Sequence, residues 1–399
     1  MPTGNYRKPR LPSHFYVLVD PPDSEGDETL HFVSESRKIK VKGHSFREFQ
    51  QHVVPLLNGE HTIEEIQSQV ADLFAAEDLQ ACLDLLGEQK LLEEADDFPL
   101  QGDLKSQLTP QLNFFHEVST ESGHMQAELM KAQVAVFGLG GPGASVALSL
   151  AAAHVGTVIC VDSLPVTDAD VYLTSVFTPA DVGTLRAEVV QRRIEVIAPR
   201  VKVLVKTEPL HDDSAVLAAI ADADFVVCCT DGALSSLAYK LNRVCLQTDL
   251  HWISCEASGS EVIVGPTVEP YQTACYLCFK MRLVASSETP EDEFAFQRFL
   301  DQRKQDDSAR RENLNFGIGL AANLVGLETL KALTGIQPLP TRGRVVVLDL
   351  MDLKMEKHLV LRKPWCPACS QPAAQPTDSP QATANAEAQD DHAKVHSAG

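Results

Sequence analysis

The chain has 399 residues, of which 44% are hydrophobic and 22% charged, and its formal net charge is −21. The length predicts two or three domains, and the composition excludes collagen-like and wholly disordered proteins. The acidic balance argues against non-specific binding to nucleic acid or to an anionic membrane surface, so a cationic peptide is the better-matched partner.

The N-terminal segment and an uncharged central stretch bear on location. Residues 1–15 contain no apolar core of signal-peptide length, so we expect a cytoplasmic protein. Residues 132–161 lack Asp, Glu, Lys and Arg, but a glycine-rich segment interrupts them. We expect a strand, a loop and a buried helix there, and no membrane span. The reducing cytoplasm makes a disulfide framework of the ten cysteines unexpected.

The first part of the chain predicts a small α+β module. Residues 14–20 alternate as a strand, residues 29–35 and 37–42 are typical of a hairpin, and Thr62 and Glu65 form a capping box. The apolar residues that mark two further helices are Phe46, Phe49, Val53, Leu56, Leu79, Leu83 and Leu86. This order is typical of a winged-helix-like module. The acidic third helix disfavours DNA binding.

Changes in composition divide the rest of the chain. Residues 98–130 form a polar connection, and a regular alternation of strands and helices follows. Residues 371–399 carry almost no large apolar side chain, so they predict a disordered tail. The predicted organisation is therefore a module at 1–97, a connection at 98–130, an α/β domain at 131–370 and the tail.

A strand, a glycine loop and an acid follow each other at the start of the α/β domain. The buried-strand pattern of residues 134–137 leads into Gly138, Gly140, Gly141 and Gly143, and Asp162 ends the next strand. In a mononucleotide fold such glycines admit phosphates near a helix N-terminus, and the acid binds the ribose hydroxyls. Close packing of a helix on a strand also selects glycine. The pattern therefore predicts a Rossmann-like fold and leaves nucleotide binding open.

Two cysteine pairs predict a metal centre. Cys275 and Cys278 form one C-x-x-C motif, and Cys366 and Cys369 form another. Four thiolates leave no open coordination position, so we expect structural zinc. A pair of redox-active dithiols is the alternative. The remaining cysteines lie in apolar patterns typical of core positions: Cys82, Cys160, Cys228, Cys229, Cys245 and Cys255.

These motifs together resemble the ThiF/MoeB family, the adenylating domain of ubiquitin-activating enzymes. The resemblance covers residues 125–369 and includes the strand at 225–229 that leads to Asp231. It implies binding of ATP and Mg²⁺, with Asp162 and Asp231 matching the two acids of the family and Asp231 serving catalysis. It also implies a homodimer.

The chain departs from the cationic positions that this resemblance implies. The family's Asn-x-x-Arg segment falls on residues 170–173, which places Asp170 at the Asn and Leu173 at the Arg. The family's lysine falls on Arg186, and its arginine-containing segment falls on residues 107–111, which contain no arginine. Adenylation concentrates negative charge on phosphates and needs such cations. The nucleotide-binding residues that the resemblance implies, whether active or vestigial, are Gly138, Gly140, Gly141, Gly143, Asp162, Arg186 and Asp231.

Residues 9–95 resemble the PqqD-like domain that binds leader peptides of ribosomally made natural products. A leader would add to the hairpin as an extra strand and place apolar anchors against the third helix. The matching edge is Arg37, Lys38, Ile39, Lys40 and Val41, and the matching groove wall is Leu79, Leu83 and Leu86. The alternative is that these leucines only fill the module's core.

Two hypotheses of function are favoured over a third, sulfur-carrier activation, which would require a conjugating cysteine that the sequence does not identify. The combination of both parts resembles the leader-binding partner protein of azoline-forming cyclodehydratases, which presents a precursor peptide to a separate YcaO-type enzyme. The other hypothesis is an active adenylating enzyme of the microcin type, which activates the peptide with ATP. The intact glycine loop, Asp162 and Asp231 favour the enzyme, whereas Leu173 and the arginine-free residues 107–111 favour the partner protein.

Overall fold

The structure is a computed structural model, and it describes residues 6–95, 100, 102–230, 236–292, 295 and 312–370. Its strands are β1 (Pro9–Arg10), β2 (Tyr16–Val19), β3 (Glu28–Val33), β4 (Lys38–Gly43), β5 (Glu93–Glu94), β6 (Gln133–Phe137), β7 (Thr157–Val161), β8 (Lys202–Lys206), β9 (Phe225–Thr230), β10 (Trp252–Ser258), β11 (Glu261–Val268), β12 (Arg344–Asp349) and β13 (Lys354–Leu359). Its helices include α1 (Phe46–Glu48), α2 (Ile63–Val70), α3 (Ala76–Glu88), α4 (Asp103–Val118), α5 (Ser122–Lys131), α6 (Pro142–Ala152), α7 (Asp168–Leu173), α8 (Arg186–Ile197), α9 (Asp213–Ile220), α10 (Ser236–Thr248), α11 (Tyr276–Ala285) and α12 (Asn315–Thr334). The predicted tail, residues 371–399, lies outside the described residues.

A mixed eight-stranded sheet forms the centre of the larger domain. Its strand order is β13-β12-β11-β10-β9-β6-β7-β8, with parallel pairing from β10 to β8 and antiparallel pairing from β10 to β13. Helices α6, α8 and α12 contribute to the apolar cluster on one face, and α9, α10 and α11 contribute to the cluster on the other. The predicted α/β, Rossmann-like class is confirmed.

The strand order determines where a ligand would bind. Strand β6 lies between β7, to which α6 connects it, and β9, which follows β8 in the chain, so the strand order reverses at β6. In open α/β sheets the crevice at such a switch point, beyond the carboxyl ends of the strands, is the ligand site. The glycine loop begins directly after β6, at this edge.

The uncharged stretch at 132–161 folds as expected, into β6, the glycine loop, α6 and β7. Within the described ranges, only α12 is long and apolar enough to cross a membrane. It packs against α6, β10 and β11, and its residues Ile318, Ala321 and Val325 are buried in the core. Helix α12 is therefore a core helix of the larger domain.

The N-terminal module contains a three-stranded antiparallel sheet in the order β2-β3-β4. The first predicted helix is irregular, because α1 continues into a π-helical segment, Phe49–Val53, and a 3-10 turn, Val54–Leu56. The predicted capping box opens α2: Glu65 N–H donates to Thr62 Oγ1 at 3.2 Å, and Thr62 N–H donates to Glu65 Oε2 at 2.9 Å. The order of elements matches the expectation, and the winged-helix comparison stays a prediction.

Helices α4 and α5 occupy most of the predicted connection at 98–130 and join the module to the sheet domain. Arg10 Nη1 lies 2.9 Å from Glu93 Oε1 in a buried ion pair, and Ser122 Oγ of α5 donates to Glu93 Oε2 at 2.6 Å. Ser34 Oγ donates to Glu117 Oε1 of α4 at 2.9 Å. The connection is thus a packed layer that holds the module through polar contacts.

Candidate functional site

The glycine loop is shaped by close packing between β6 and α6. Gly138 has a φ angle of +77°, a backbone conformation that residues with a Cβ rarely adopt. A Cβ on Gly143 would lie 2.2 Å from the carbonyl oxygen of Gly138, so α6 can approach the loop only with glycine there. Gly140 lies within the loop, and Gly141 is the N-cap of α6. The helix N-terminus therefore lies at the switch point, as a mononucleotide site requires.

Asp162 lies directly after β7 and contacts this loop. Its Oδ2 accepts a hydrogen bond from Leu139 N–H at 2.7 Å, and its Oδ1 accepts one from Leu164 N–H at 2.8 Å. The side chain is almost fully buried. Both carboxylate oxygens therefore already accept a backbone hydrogen bond, and one of the donors is an amide of the glycine loop.

Arg186 is buried in an ion pair. Its guanidinium binds Asp170 in a bidentate manner, with Nε to Oδ2 at 3.0 Å and Nη2 to Oδ1 at 3.0 Å. Nη1 lies 3.6 Å from Asp162 Oδ2. The side chains of Arg186 and Asp170 are 2% and 0% exposed, so solvent barely screens this pair. The arginine at the family's lysine position is thus held by the acid at the family's asparagine position.

The other positions at which the family resemblance implies an arginine contain none. Leu173 ends α7, and residues 107–111 lie in α4. Gln111 Nε2 donates to Gln126 Oε1 at 2.6 Å and to the Ala153 carbonyl at 3.1 Å, so it is held between helices of its own chain. Asp231, the second acid, lies outside the described residues. The described part of the site therefore combines a glycine loop of the nucleotide-binding type with an arginine, Arg186, whose charge is offset by Asp170.

The four cysteines of the two knuckles converge in one buried cluster. Their Sγ atoms all lie within 4.8 Å of one another, although Cys275 and Cys278 are some ninety residues away in sequence from Cys366 and Cys369. The Sγ atoms of Cys275 and Cys366 are 3.7 Å apart, as are those of Cys278 and Cys369. A tetrahedral zinc ion with bonds of about 2.3 Å requires sulfur–sulfur edges of about 3.8 Å. The cluster therefore fits a structural zinc ion.

Two residues just before the second knuckle support the cluster, and the sequence analysis did not identify them. The backbone N–H of Lys363 donates to Cys278 Sγ at 3.3 Å. The guanidinium of Arg362 donates to the carbonyl of Tyr271 at 2.7 Å and to the carbonyl of Cys369. Sequence could have identified them by their position next to a C-x-x-C motif, because N–H groups and cations stabilise thiolates.

The other cysteines behave as core residues, as predicted. Cys160, Cys228 and Cys245 are buried, and Cys82 is half-buried. Burial raises the pKa of Cys160 to about 12 and raises the pKa of Cys228 well above its ordinary value. Burial thus disfavours the thiolate form of Cys160 and Cys228, which is typical of core cysteines.

The register of the module's sheet decides which edge groups face outward. Ser34 N–H donates to Arg37 O at 2.8 Å, and hydrogen-bonded pairs alternate along an antiparallel ladder. Ile39 and Val41, opposite Phe32 and Leu30, therefore bond to β3. Conversely, the outward backbone groups belong to a second set: Lys38, Lys40 and Lys42. In the described part of the chain, these outward groups make no backbone hydrogen bond.

Three of the five residues predicted to form the open edge therefore do not direct their backbone groups outward. Arg37, Ile39 and Val41 direct their backbone groups to β3, and only Lys38 and Lys40 direct theirs to the open edge. The Arg37 side chain instead donates to the carbonyl of Gln89 at 2.8 Å and to that of Lys90 at 3.3 Å. It thereby fixes the start of β4 beside the C-terminus of α3.

The predicted groove wall on α3 is also corrected. Leu79, Leu83 and Leu86 are 1%, 1% and 2% exposed and belong to the module's apolar core. They fill the core, which was the alternative, and offer no surface to a peptide. On the same helix, Cys82 and Leu85 are half-buried at the margin of that core.

A further polar cluster lies near the carboxyl end of β10. Glu256 accepts hydrogen bonds from the Tyr276 hydroxyl at 2.9 Å and from Lys280 Nζ at 3.2 Å. Burial, followed by the charge of Glu256, raises the pKa of Tyr276 well above its ordinary value. The sequence signal was an acid within an apolar strand and a lysine two residues after the first knuckle. The cluster joins the sheet to the helix that carries Cys278.

Comparisons with known proteins agree with this geometry. The ThiF family profile matches residues 108–368. The Escherichia coli sulfur carrier protein ThiS adenylyltransferase is 26% identical over 257 residues, which cover 63% of this chain and 91% of that protein. The E. coli molybdopterin-synthase adenylyltransferase is 27% identical over 248 residues, which cover 62% and 90%.

Solved structures extend the likeness in fold. E. coli MccB, solved with MccA-N7isoASN, superposes with a TM-score of 0.66 at 16% identity, covering 91% of this chain and 99% of MccB. PaaA superposes with a TM-score of 0.61 at 19% identity, covering 74% and 96%. From the Rossmann-like sheet, the glycine loop, the four-cysteine cluster and the matched profile, we conclude that the chain belongs to the ThiF family.

Proposed function

We propose that this protein binds the leader of a ribosomally synthesised precursor peptide and presents it to a separate YcaO-type cyclodehydratase, which forms thiazolines or oxazolines. In this proposal the ThiF domain is a scaffold without ATP chemistry. The observation that carries it is the buried ion pair between Arg186 and Asp170. That pair occupies the position where the family resemblance implies a phosphate-binding lysine.

The charges of the site argue against adenylation. Relative to the family pattern, the site gains a negative charge at Asp170 and loses a positive charge at Leu173. Arg186 is neutralised by Asp170 and lies near a second carboxylate, Asp162. A triphosphate entering here would meet little uncompensated positive charge, and transition-state stabilisation in phosphoryl chemistry depends on such charge.

An active adenylating enzyme acting on a peptide is the alternative. The glycine loop and Asp162 retain the shape of a mononucleotide site, and the curated relatives are named as adenylyltransferases. MccB, the relative by fold, is named as a microcin C7 biosynthetic enzyme and was solved in complex with MccA. ATP binding and ATP–pyrophosphate exchange separate the two functions.

The open edge of β4 supports peptide binding by strand addition. On the other edge of the module's sheet, Gln50 Nε2 donates to the Val17 carbonyl of β2 at 2.7 Å and so occupies one outward backbone group. Along β4, the backbone groups of Lys38, Lys40 and Lys42 are directed outward. An extended peptide adding there would satisfy these groups and continue the sheet.

We expect Lys40→Pro to weaken leader binding at least tenfold in the full chain. Proline removes the outward N–H of Lys40 and leaves the bonds between β3 and β4 intact, because Lys40 and His31 form a non-hydrogen-bonded pair of the ladder. Each lost peptide hydrogen bond contributes about 1 kcal/mol, and the proline ring also obstructs the approaching strand. Fluorescence anisotropy with a labelled synthetic leader peptide measures the effect.

Lys40→Ala is the matched control, because it removes the side chain and keeps the N–H. Circular dichroism verifies that both variants fold. Ile39→Pro is a poor probe of this edge, since Ile39 bonds to β3 and its replacement breaks the module's own ladder. Normal binding by a folded Lys40→Pro variant would contradict docking at β4.

We propose that the metal is zinc and that its role is structural. Cys275, Cys278, Cys366 and Cys369 would hold it, and a four-sulfur shell leaves no position for substrate or water. Zinc there would cross-link α11 to the segment that follows β13.

We also propose a homodimer. Strand β13 is the edge of the large sheet, and all six of its residues are exposed. Met355, Leu359 and Trp365 are 50%, 61% and 85% exposed, on or next to this edge. An exposed edge strand that carries apolar side chains among its charged ones can pair with a second chain.

For the dimer, we expect Met355→Glu with Leu359→Glu to shift the purified protein from dimer to monomer in analytical ultracentrifugation. Each change replaces an apolar side chain of β13 with a carboxylate, so two copies would place like charges in contact. Val196→Glu is the control, because Val196 is 80% exposed on α8, away from this edge. A monomeric wild-type protein, or a double variant that remains dimeric, would refute the assignment.

The remaining proposals follow from the fold. We keep the module at 1–97, the connection at 98–130 and the α/β domain at 131–370, with the connection now understood as the α4–α5 layer. We propose a cytoplasmic location. The precursor leader and the YcaO-type enzyme are the expected partners, with no role for nucleic acid or membrane.

A further inference from the structure

We infer that the peptide strand bound along β4 carries acidic side chains at alternate positions, and that Lys38 and Lys40 recognise them. The inference rests on the proposed docking of a peptide at β4 and adds the chemical class of that peptide. It starts from an imbalance of charge on the outer face of the module's sheet.

The three lysines of β4 have different surroundings. Lys42 Nζ lies 2.9 Å from Asp23 Oδ2 and 3.2 Å from Asp27 Oδ2, so its charge is offset within the module. Lys38 and Lys40 are also exposed, but among the residues that the structure describes neither forms an ion pair. Two unpaired lysines, two positions apart, therefore share one face of an edge strand.

The neighbouring strand cannot supply the missing carboxylates. The cross-strand neighbour of Lys38 on β3 is Val33, and that of Lys40 is His31. His31 already contacts a carboxylate of its own, with Nε2 at 2.7 Å from Asp20 Oδ2. The open side of β4 is therefore the place where acidic partners for Lys38 and Lys40 can be brought in.

Strand geometry sets the spacing of those partners. Directly opposed residues of antiparallel strands have Cβ atoms about 4.5–5.5 Å apart, and opposite charges in such pairs attract. Side chains two residues apart point to the same face. A peptide strand that opposes both Lys38 and Lys40 thus presents Glu or Asp at positions i and i+2.

The opposite face of β4 requires apolar residues between the acidic ones. Ile39 is half-buried and Val41 is buried, and both point toward the module's core. Cys82 and Leu85 of α3 are half-buried at the margin of the same apolar cluster. Arg37 holds the start of β4 beside the end of α3. The intervening peptide side chains would therefore meet an apolar margin.

This inference reverses the expectation of a cationic partner drawn from the net charge of −21. Net charge acts at long range, but salt screens exposed charges over about 8 Å at physiological ionic strength. At contact distance the lysines of β4 outweigh the distant acids. The local field of the edge, and not the total charge, selects the peptide.

The lysines have one other plausible role, which the same experiment examines. Exposed lysines on edge strands protect proteins from uncontrolled strand pairing. In that case Lys38 and Lys40 would oppose every added strand, whatever its charge, and would give no preference for acidic peptides.

The experiment uses the full chain and three labelled ten-residue peptides. In the first, Val and Glu alternate; in the second and third, Gln or Lys replaces every Glu. We expect fluorescence anisotropy to show the Glu peptide binding roughly five- to tenfold more tightly than the Gln peptide at low ionic strength, with the Lys peptide weakest. The preference for Glu should shrink as salt is added.

Charge reversal provides the decisive comparison. The double variant Lys38→Glu with Lys40→Glu should bind the Lys peptide more tightly than the Glu peptide. Lys131→Glu with Lys202→Glu is the control, because it changes the net charge equally at exposed lysines of the other domain and should keep the wild-type order. Circular dichroism verifies the fold of each variant.

The outcomes are distinguishable from failure of the proposed function. Equal binding of the Glu and Gln peptides, lost in Lys40→Pro, would overturn the charge inference and leave docking at β4 intact. Binding of the Glu peptide that Lys40→Pro does not affect would overturn both. Failure of folded wild-type protein to bind the Glu peptide would overturn the inference, whatever its affinity for a natural leader.

Discussion

Replacing Cys366 with serine is expected to abolish binding of the proposed zinc ion and to lower the free energy of unfolding by at least about 4 kcal/mol. Structural zinc in small domains contributes about 10–16 kcal/mol of apparent binding free energy. In a larger domain, loss of the metal should cost only part of that energy, because the rest of the core remains packed. Cys366 joins the segment after β13 to α11 through the cluster, so its loss separates elements distant in sequence. For a domain of this size the change corresponds to roughly 10 °C in Tm.

Metal analysis by mass spectrometry and differential scanning calorimetry measure the two effects together. Cys82→Ser is the matched control, since Cys82 is half-buried in the module and lies outside the cluster. It should retain the metal and the Tm of the α/β domain. If the wild-type protein contains no metal as purified, or if a chelator removes the metal without lowering the Tm, then the cluster has no structural metal.

Arg186→Ala is expected to destabilise the protein by about 3–5 kcal/mol, because it leaves Asp170 buried without its counter-ion. Removing both charges in Asp170→Asn with Arg186→Met should recover most of this loss, and the coupling in the double-mutant cycle measures the pair. An arginine that served only to bind phosphate would be dispensable for stability. Chemical denaturation of the four proteins gives the free energies.

The same pair predicts the behaviour toward nucleotide. Titration calorimetry of the wild-type protein with MgATP should give a Kd weaker than about 1 mM, and ATP–pyrophosphate exchange should stay at background with or without the leader-bearing precursor. Restoring the family residues in Asp170→Asn, Leu173→Arg and Arg186→Lys should tighten MgATP binding at least tenfold. Micromolar binding by the wild type, with exchange abolished by Asp231→Ala, would establish the adenylating enzyme instead.

The parts of the fold that sequence could predict depend on local patterns. The apolar run at 134–137, the four glycines after it and Asp162 identify a Rossmann-like unit, because strand, loop and helix periodicities are contained in consecutive residues. The Thr62–Glu65 capping box and the two C-x-x-C knuckles are equally local, and each has few physical interpretations.

The positions of the α3 leucines show where local pattern stops being sufficient. Spacing identifies Leu79, Leu83 and Leu86 as one apolar face of a helix, but a face that fills a core and a face that lines a groove have the same spacing. Their burial is decided by the strands and helices packed around them. The sequence therefore allowed both a core position and a groove position for these leucines, and the packing places them in the core.

The β4 edge and the Arg186 site depended entirely on tertiary structure. Hydrophobic alternation assigns Lys38, Lys40 and Lys42 to one face, yet which backbone groups bond to β3 follows from the register of the Ser34–Arg37 turn. Likewise, sequence shows that Asp170 and Arg186 depart from the family, but it cannot show that they neutralise each other. By itself the sequence determined the family, the two cysteine knuckles and the order of elements, since these reside in consecutive residues. Only the tertiary structure decided the charge around the glycine loop and the open edge of the module, because both arise from contacts between segments distant in the chain.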